Sequence, residues 1–228
     1  MAEDTAPARP LTAISQTAAR LSFAAAATFV VLLAALHLIK PELDPSWRMI
    51  SEYEIGRYGW VMSLAFLSLA FSCATLFVAI RSQTRTIGGK IGLVLLVVSA
   101  LGMTIAAIFT TDPITASQDE LTTHGTLHGV GGLLGIPTFP IAATLISRSL
   151  AGDRAWSPAR RSLLWMVGLV WISLLVFALS MAVMLPQSEG GFGPEVMIGW
   201  PNRLFMVANG AWLMTVAWRA LQSAEQRS

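Results

Sequence analysis

Long runs of apolar residues, separated by short polar segments, dominate the chain. A bilayer core of about 30 Å is crossed by about 20 residues of helix. Six runs of about that length occur, at 21–39, 59–80, 91–110, 124–146, 163–185 and 203–221. The pattern predicts an all-α bundle of six transmembrane helices over residues 21–221. Residues 1–20 and 222–228 are polar and are predicted to be short tails.

The composition agrees with a membrane protein. Of the 228 residues, 54% are hydrophobic and 12% are charged, whereas about a quarter of a soluble domain is charged. The chain therefore has too few polar groups to cover a surface exposed to water. No basic run is interleaved with aromatic residues, which argues against a nucleic-acid partner. The single cysteine, Cys73, excludes an internal disulfide.

The distribution of basic residues predicts the orientation in the membrane. With the N-terminus in the cytoplasm, eleven of the 15 Lys and Arg residues fall in the inner segments. The four outer ones are Lys40, Arg48, Arg57 and Arg203. Because cytoplasmic loops carry an excess of Lys and Arg, we expect both termini to be cytoplasmic.

All three histidines fall on the predicted outer side. His37 lies near the outer end of the first helix, and His124 and His128 lie at the start of the fourth. At 100° per residue, these two share a helix face with Gly131 and Gly135. Small residues favour close contact between membrane helices, so we expect both rings to point into the bundle. Histidines spaced i and i+4 can bind one metal ion.

These features suggest a metal-dependent hydrolase that acts on a lipid or another amphiphile. The candidate zinc ligands are the outer histidines and one acid near them: His37, His124, His128 and Asp112. Imidazole ligands suit zinc, and Asp112 would complete the set or orient a histidine. The candidate general bases are Glu52 and Glu120, which would act on a water molecule activated by the metal. This hypothesis requires the first and fourth helices to be neighbours.

Three further outer residues are candidates for contact with the substrate. Arg203, at the start of the sixth helix, would pair with a lipid phosphate, and Ser51 and Tyr53 would line the pocket from the first outer loop. Ser51 could also be a nucleophile with His37 or His128 as its base, although no glycine elbow surrounds it. The simpler interpretation is that Arg203 reaches toward the interface and that the histidines bond polar neighbours.

Two functions without catalysis remain open. The same polar pocket could bind or transport a lipid without a metal. Alternatively, the glycine-rich face of the fourth helix could dock a partner, and the protein would be a structural subunit of a membrane assembly. Asn202 and Asn209, seven residues apart on one helix face, are expected to hold helices together.

The outer motifs resemble those of the domain-of-unknown-function 998 family of prokaryotic six-helix membrane proteins. The resemblance covers roughly residues 30–215. The matching residues are His37, Pro41, Asp44-Pro45, Ser51-Glu52-Tyr53, Gly56, Gly59-Trp60, Thr111-Asp112-Pro113, His124, His128 and the segment Gly199-Trp200-Pro201-Asn202-Arg203. It implies a six-helix fold in a bacterial or archaeal plasma membrane, and it implies no activity.

Overall fold

The computed structural model describes residues 12–188 and 191–225. Six long helices follow one another, and each is long and apolar enough to cross a membrane. Their bounds are α1 (Ala13–Ile39), α2 (Gly59–Ile80), α3 (Ile87–Ile108), α4 (Thr123–Ala151), α5 (Arg160–Gln187) and α6 (Gly199–Glu225). The described ranges contain no strand. The prediction of an all-α bundle with six membrane-spanning helices is therefore confirmed.

The first helix begins earlier than its apolar run. Thr12 caps it, because the Thr12 hydroxyl accepts a hydrogen bond from the backbone N–H of Ser15 at 3.2 Å. The helix therefore includes residues 13–20, which hydropathy alone placed in the tail. Residues 1–11 and 226–228 of the predicted tails lie outside the described residues, and the cytoplasmic location of both termini stays a prediction.

The six helices form a ring in which each packs against its two neighbours. Helix α1 packs against α2 and α6, α3 packs against α2 and α4, and α5 packs against α4 and α6. Helices α3 and α4 share the most extensive contact, and their backbones meet at Gly102 and Gly131. A Cβ atom on Gly131 would lie 2.6 Å from the carbonyl oxygen of Gly102. Only glycine permits this approach, which confirms that Gly131 faces another helix.

The segments 40–58 and 109–122, with residues 188 and 191–198, lie at one end of the bundle, which we call the upper end. This is the end predicted to face outward. Two short 3-10 helices form there, Ile50–Glu54 and Gln118–Glu120, and a third, Arg154–Ala159, lies at the opposite end. The upper end therefore holds the residues singled out by sequence.

Candidate functional site

A buried arginine organises one side of the upper end. Arg203 is only 4% exposed, and its Nε donates to Nε2 of His37 at 2.8 Å. Its Nη1 donates to the carbonyl oxygens of Arg48 at 2.6 Å and Gly199 at 3.0 Å. Its Nη2 donates to the hydroxyl of Tyr53 at 3.2 Å. Arg203 thus joins α6 to α1 and to the first loop.

His37 has both ring nitrogens engaged in this network. Its Nδ1 lies 2.7 Å from the carbonyl oxygen of Leu33, so the proton sits on Nδ1 and Nε2 accepts from Arg203. The ring stacks on Trp200 at 6.3 Å and tilts against Tyr53 at 5.4 Å. We call His37, Tyr53 and Arg203 the arginine clamp. Its members are already partnered within the protein, which favours a structural role for them.

A second buried cation lies beside the clamp. Lys40 is 3% exposed, and its Nζ donates to the backbone carbonyls of Tyr53 and Ile55. Burial removes the ammonium from water and holds the pKa of Lys40 below its ordinary value, while the charge of Glu42 opposes this shift. Lys40 therefore pins the end of α1 to the 3-10 turn of the first loop.

The two candidate general bases hold loops in place. Both oxygens of Glu52 accept hydrogen bonds: Oε1 from Arg48 at 2.6 Å and from the N–H of Ile114 at 3.1 Å, and Oε2 from the N–H of Met49 at 3.0 Å. Glu52 is 1% exposed. It therefore ties the first loop to the loop before α4.

Glu120 is exposed and caps a single turn. Its Oε2 accepts from the backbone N–H of Ser117 at 2.8 Å and from the Ser117 hydroxyl at 2.9 Å. The donated backbone hydrogen bond holds the pKa of Glu120 below its ordinary value, and the hydroxyl adds to the effect. The hydrogen bonds to Ser117 account for the position of Glu120, so no catalytic role is needed to explain it.

Asp112 holds the N-cap residue of α4, Thr122, whose hydroxyl accepts from the N–H of Gly125. Its two carboxylate oxygens accept from the backbone N–H and the hydroxyl of Thr122, both at 2.8 Å. A Cβ on Gly125 would overlap Oδ2 of Asp112, so glycine is required where the carboxylate covers the helix end. The negative charge also complements the positive end of the helix dipole.

His128 pairs with an acid that sequence reasoning missed. Its Nδ1 lies 3.2 Å from Oε2 of Glu54, and the carbonyl oxygens of Ala106 and Phe109 lie at 3.0 and 2.9 Å from the same nitrogen. These acceptors keep a proton on Nδ1. One signal in the sequence could have pointed to Glu54. It follows the candidate acid Glu52 by only two residues, so both acids belong to the same turn of the first loop.

His124 lies apart from this pair. Its ring is exposed and meets Phe109 edge-on at 5.4 Å. The expectation that both α4 histidines point into the bundle is therefore wrong for His124, because it stands at the first turn, above the contact with α3. The expectation holds for His128, which is half-buried.

The four predicted zinc ligands occupy separate networks. His37 belongs to the arginine clamp, Asp112 to the α4 cap, and His128 to the pair with Glu54. Among residues 12–188 and 191–225, no group of three or more His, Cys, Asp or Glu side chains is arranged to hold a metal ion. The reason is topological, since α1 packs against α2 and α6 while α4 packs mainly against α3. Zinc binding and hydrolysis stay predictions.

A cavity of about 730 Å³ lies beside the Glu54–His128 pair, in the upper part of the bundle. Its wall is mostly apolar and comes from the first loop and helices α2 to α6. The polar side chains in the wall are Ser51, Thr111, His128, Asn202 and Asn209. Of the residues predicted for the site, Ser51 and His128 line this cavity, whereas Tyr53 and Arg203 do not.

The cavity reaches the side of the bundle between α4 and α5. Gly129, Leu133 and Pro137 lie one helical turn apart on α4, and all three are exposed and line the cavity. Leu133 is 76% exposed. Phe177 and Met181 of α5, also one turn apart, line it as well. The cavity therefore opens toward the region that the bilayer occupies.

Asn209 is the polar residue of the cavity wall that lies furthest along its helix from the upper end. It stands ten residues into α6, which is about 15 Å along the helix axis. The residue is 1% exposed, and its Oδ1 is the one buried side-chain nitrogen or oxygen without a hydrogen-bond partner in the described ranges. By contrast, Oδ1 of Asn202 accepts from the N–H of Ile50 at 3.1 Å. The expectation that both asparagines hold helices together is wrong for Asn209; Asn202 instead anchors the first loop to α6.

A second cavity, of about 850 Å³, lies among the loops of the upper end. Met49, Thr111 and Gly125 line both cavities. The two spaces are therefore neighbours, separated by these three residues.

Comparison with known proteins gives a family and nothing more specific. No curated protein and no solved structure matches the chain. A family model described as "Protein of unknown function (DUF998)" matches residues 23–219, which include most of all six helices and the whole upper end. The chain therefore belongs to the DUF998 family.

Proposed function

We infer that this protein binds a membrane amphiphile in the 730 Å³ cavity without chemically changing it, either to retain it or to move it. The observation behind this proposal is the opening between α4 and α5, where exposed residues of a membrane-spanning helix are also cavity wall. A ligand that enters there comes from the bilayer. Binding pockets of about 300–1,000 Å³ are typical for small ligands.

The cavity wall suits an amphiphile. Most of the lining is apolar, and a few uncharged polar groups stand at its upper and deep ends. An acyl or isoprenoid chain would be as well solvated there as in the membrane, so the polar groups would supply the selectivity. Asn209 is the strongest such group, because its oxygen has no partner in the described part of the chain and would gain a hydrogen bond if the carboxamide rotated toward a ligand.

The geometry favours binding over the other two functions. The residues expected for hydrolysis are engaged in loop and helix contacts, and none of these contacts places three of them around one point. The structural-subunit hypothesis assigned the α4 glycines to a partner. Yet Gly131 packs against α3 of the same chain, and Gly129 faces the open cavity.

The test is to fill the cavity without disturbing the backbone. A Cβ on Gly129 would meet no atom within 4 Å, so Gly129→Leu places an isobutyl group in the opening. A Cβ added to Gly168 on α5 would also meet no atom within 4 Å, and Gly168 lies outside the cavity wall. Gly168→Leu is therefore a matched control for the effect of a larger apolar side chain.

Purified, delipidated protein would be incubated with a lipid extract of the host membrane and measured by native mass spectrometry. We expect one tightly held lipid on the wild type and on Gly168→Leu, and a loss of at least about tenfold in occupancy for Gly129→Leu. Equal occupancy in all three folded proteins would contradict the proposal.

A further inference from the structure

The cavity also indicates the chemical class of its ligand. Resting on the proposed function, we propose that the ligand is an uncharged, hydroxyl-bearing lipid with one chain, such as a monoacylglycerol or an isoprenoid alcohol, and that anionic phospholipids are excluded. Three features of the cavity lead to this inference: the charges around it, the hydrogen-bonding groups in its wall, and its volume.

Within the described part of the chain, the wall offers no side chain other than His128 that could carry a positive charge to a phosphate. It contains no Lys, Arg, Asp or Glu residue among the described residues. The two buried cations of the upper end, Lys40 and Arg203, donate to protein acceptors and lie outside the lining. A phosphate in the cavity would therefore lose its hydration without gaining a partner of opposite charge, which is costly.

The nearest ionisable groups do not favour an anion either. His128 faces the cavity, and its Nδ1 pairs with the buried carboxylate of Glu54 at 3.2 Å. A charge on the imidazole would therefore lie against this acid and would not be offered to a ligand alone.

The polar groups that remain suit a hydroxyl group, which both donates and accepts. Nδ1 of His128 is already surrounded by acceptors, so only Nε2 is left for a ligand. Asn209 lines the cavity, and its Oδ1 has no partner among the described residues; this oxygen is covered in the ligand-free conformation, and rotation of the carboxamide would present it to a hydroxyl hydrogen. The carboxamide of Asn202 uses its oxygen to bind Ile50, and its N–H groups can donate.

The volume fits one chain. At roughly 30 Å³ for each non-hydrogen atom, 730 Å³ holds about 24 such atoms. A glycerol group with one acyl chain of ordinary length has a similar number of atoms, and the side opening lets the end of the chain reach the bilayer. The His128, Asn202 and Asn209 side chains would then meet the head group and its linkage.

The test compares two probes that differ by one phosphate: monooleoylglycerol and its phosphate ester, oleoyl lysophosphatidic acid. Binding of each to the delipidated protein in a non-ionic detergent would be measured by native mass spectrometry and by thermal shift. We expect monooleoylglycerol to bind at least about tenfold more tightly than the phosphate ester. We also expect Asn209→Leu to weaken monooleoylglycerol binding by about tenfold, the effect of one lost hydrogen bond to a buried group.

The outcomes separate this inference from the proposed function. If the phosphate ester binds as tightly as monooleoylglycerol, and Gly129→Leu abolishes both, the cavity is a lipid site but the head-group inference is wrong. If binding of either probe is the same in Gly129→Leu and Gly168→Leu, the cavity is not the site and both proposals fail. Selective binding of monooleoylglycerol that Gly129→Leu abolishes and Asn209→Leu weakens by about tenfold would support both.

Discussion

The two buried asparagines of α6 should have opposite effects on stability when each is replaced by leucine. Asn209 has an oxygen without a partner, so Asn209→Leu removes an unsatisfied polar group and adds apolar contacts to the cavity wall. An unpaired buried polar group costs about 1–3 kcal/mol, and polar contacts between membrane helices average nearer ~0.6 kcal/mol. We therefore expect Asn209→Leu to stabilise the lipid-free protein by about 1 kcal/mol.

Asn202→Leu is the matched control. Asn202 stands seven residues earlier on the same helix face, is 7% exposed, and accepts from the N–H of Ile50 at 3.1 Å. Because Ile50 is itself buried, its N–H would lose its partner in this variant. We expect a loss of about 1 kcal/mol, so the two variants should differ by about 2 kcal/mol.

Thermal unfolding of the delipidated proteins in one detergent would measure this difference. For a chain of this length, about 1 kcal/mol shifts Tm by about 2–4 °C, so Asn209→Leu should unfold about 4–8 °C above Asn202→Leu, with the wild type between them. Saturating monooleoylglycerol should raise Tm less for Asn209→Leu than for the wild type, because an affinity about tenfold weaker reduces the stabilisation by about 1.4 kcal/mol. If Asn209→Leu instead lowers Tm as much as Asn202→Leu does, Asn209 has a partner within the protein and the reasoning is wrong.

Three further predictions concern helix contact, metal binding and pH. Gly131→Ala should destabilise the protein by about 1–3 kcal/mol, because the added Cβ would lie 2.6 Å from a backbone oxygen of α3; Gly129→Ala, which meets nothing within 4 Å, should leave Tm unchanged or slightly higher. Mass spectrometry of the untagged protein, after zinc has been offered, tests the zinc hypothesis: one zinc per chain, lost in the His124→Ala/His128→Ala double variant, would support the hydrolase, and its absence would refute it. The Ser117 N–H lowers the pKa of Glu120 in the folded protein. The stabilisation by the ionised Glu120 is therefore fully present above the ordinary pKa of 4.5. It is lost as the pH falls through the lower pKa of the folded protein. Tm of the wild type should therefore exceed that of Glu120→Gln at pH 7, and the gap should close under acid conditions.

The six helices could be predicted because hydropathy alone specifies them. The end of α1 and the start of α2 could also be predicted, because the first apolar run stops before Lys40 and the second begins at Gly59. The start of α1 could not, because a polar segment continued the helix once Thr12 had capped it. Capping is a local hydrogen bond, which a window averaged over about 20 residues does not detect.

The location of the polar residues could be predicted, but their partners could not. Every candidate site residue does lie at the upper end, because hydropathy shows where each apolar run stops and therefore which residues lie near the membrane surface. Which of them meet depends on the neighbours of each helix, and the packing of α1 against α6 brought His37 to Arg203. Glu54 was missed because its importance comes from burial beside His128, and no spacing rule connects two residues so far apart in sequence.

At the upper end, the buried charged side chains lie outside the cavity wall, and the cavity is lined by other residues. This separation is the strongest argument for a lipid site. Arg203, Lys40 and Glu52 are buried, and their contacts join loops and helices into a fixed rim. The cavity wall contains none of them. A protein built to bind phosphate or to activate water would direct such charges into its cavity, where they would stabilise the ligand or the reaction. Apart from His128, the polar side chains of the cavity wall are instead uncharged, among them Asn209, whose unpaired oxygen is expected to lower stability. A residue that weakens the ligand-free fold is expected at sites where function requires it, and for Asn209 the function consistent with its position is to receive a hydroxyl group inside the membrane.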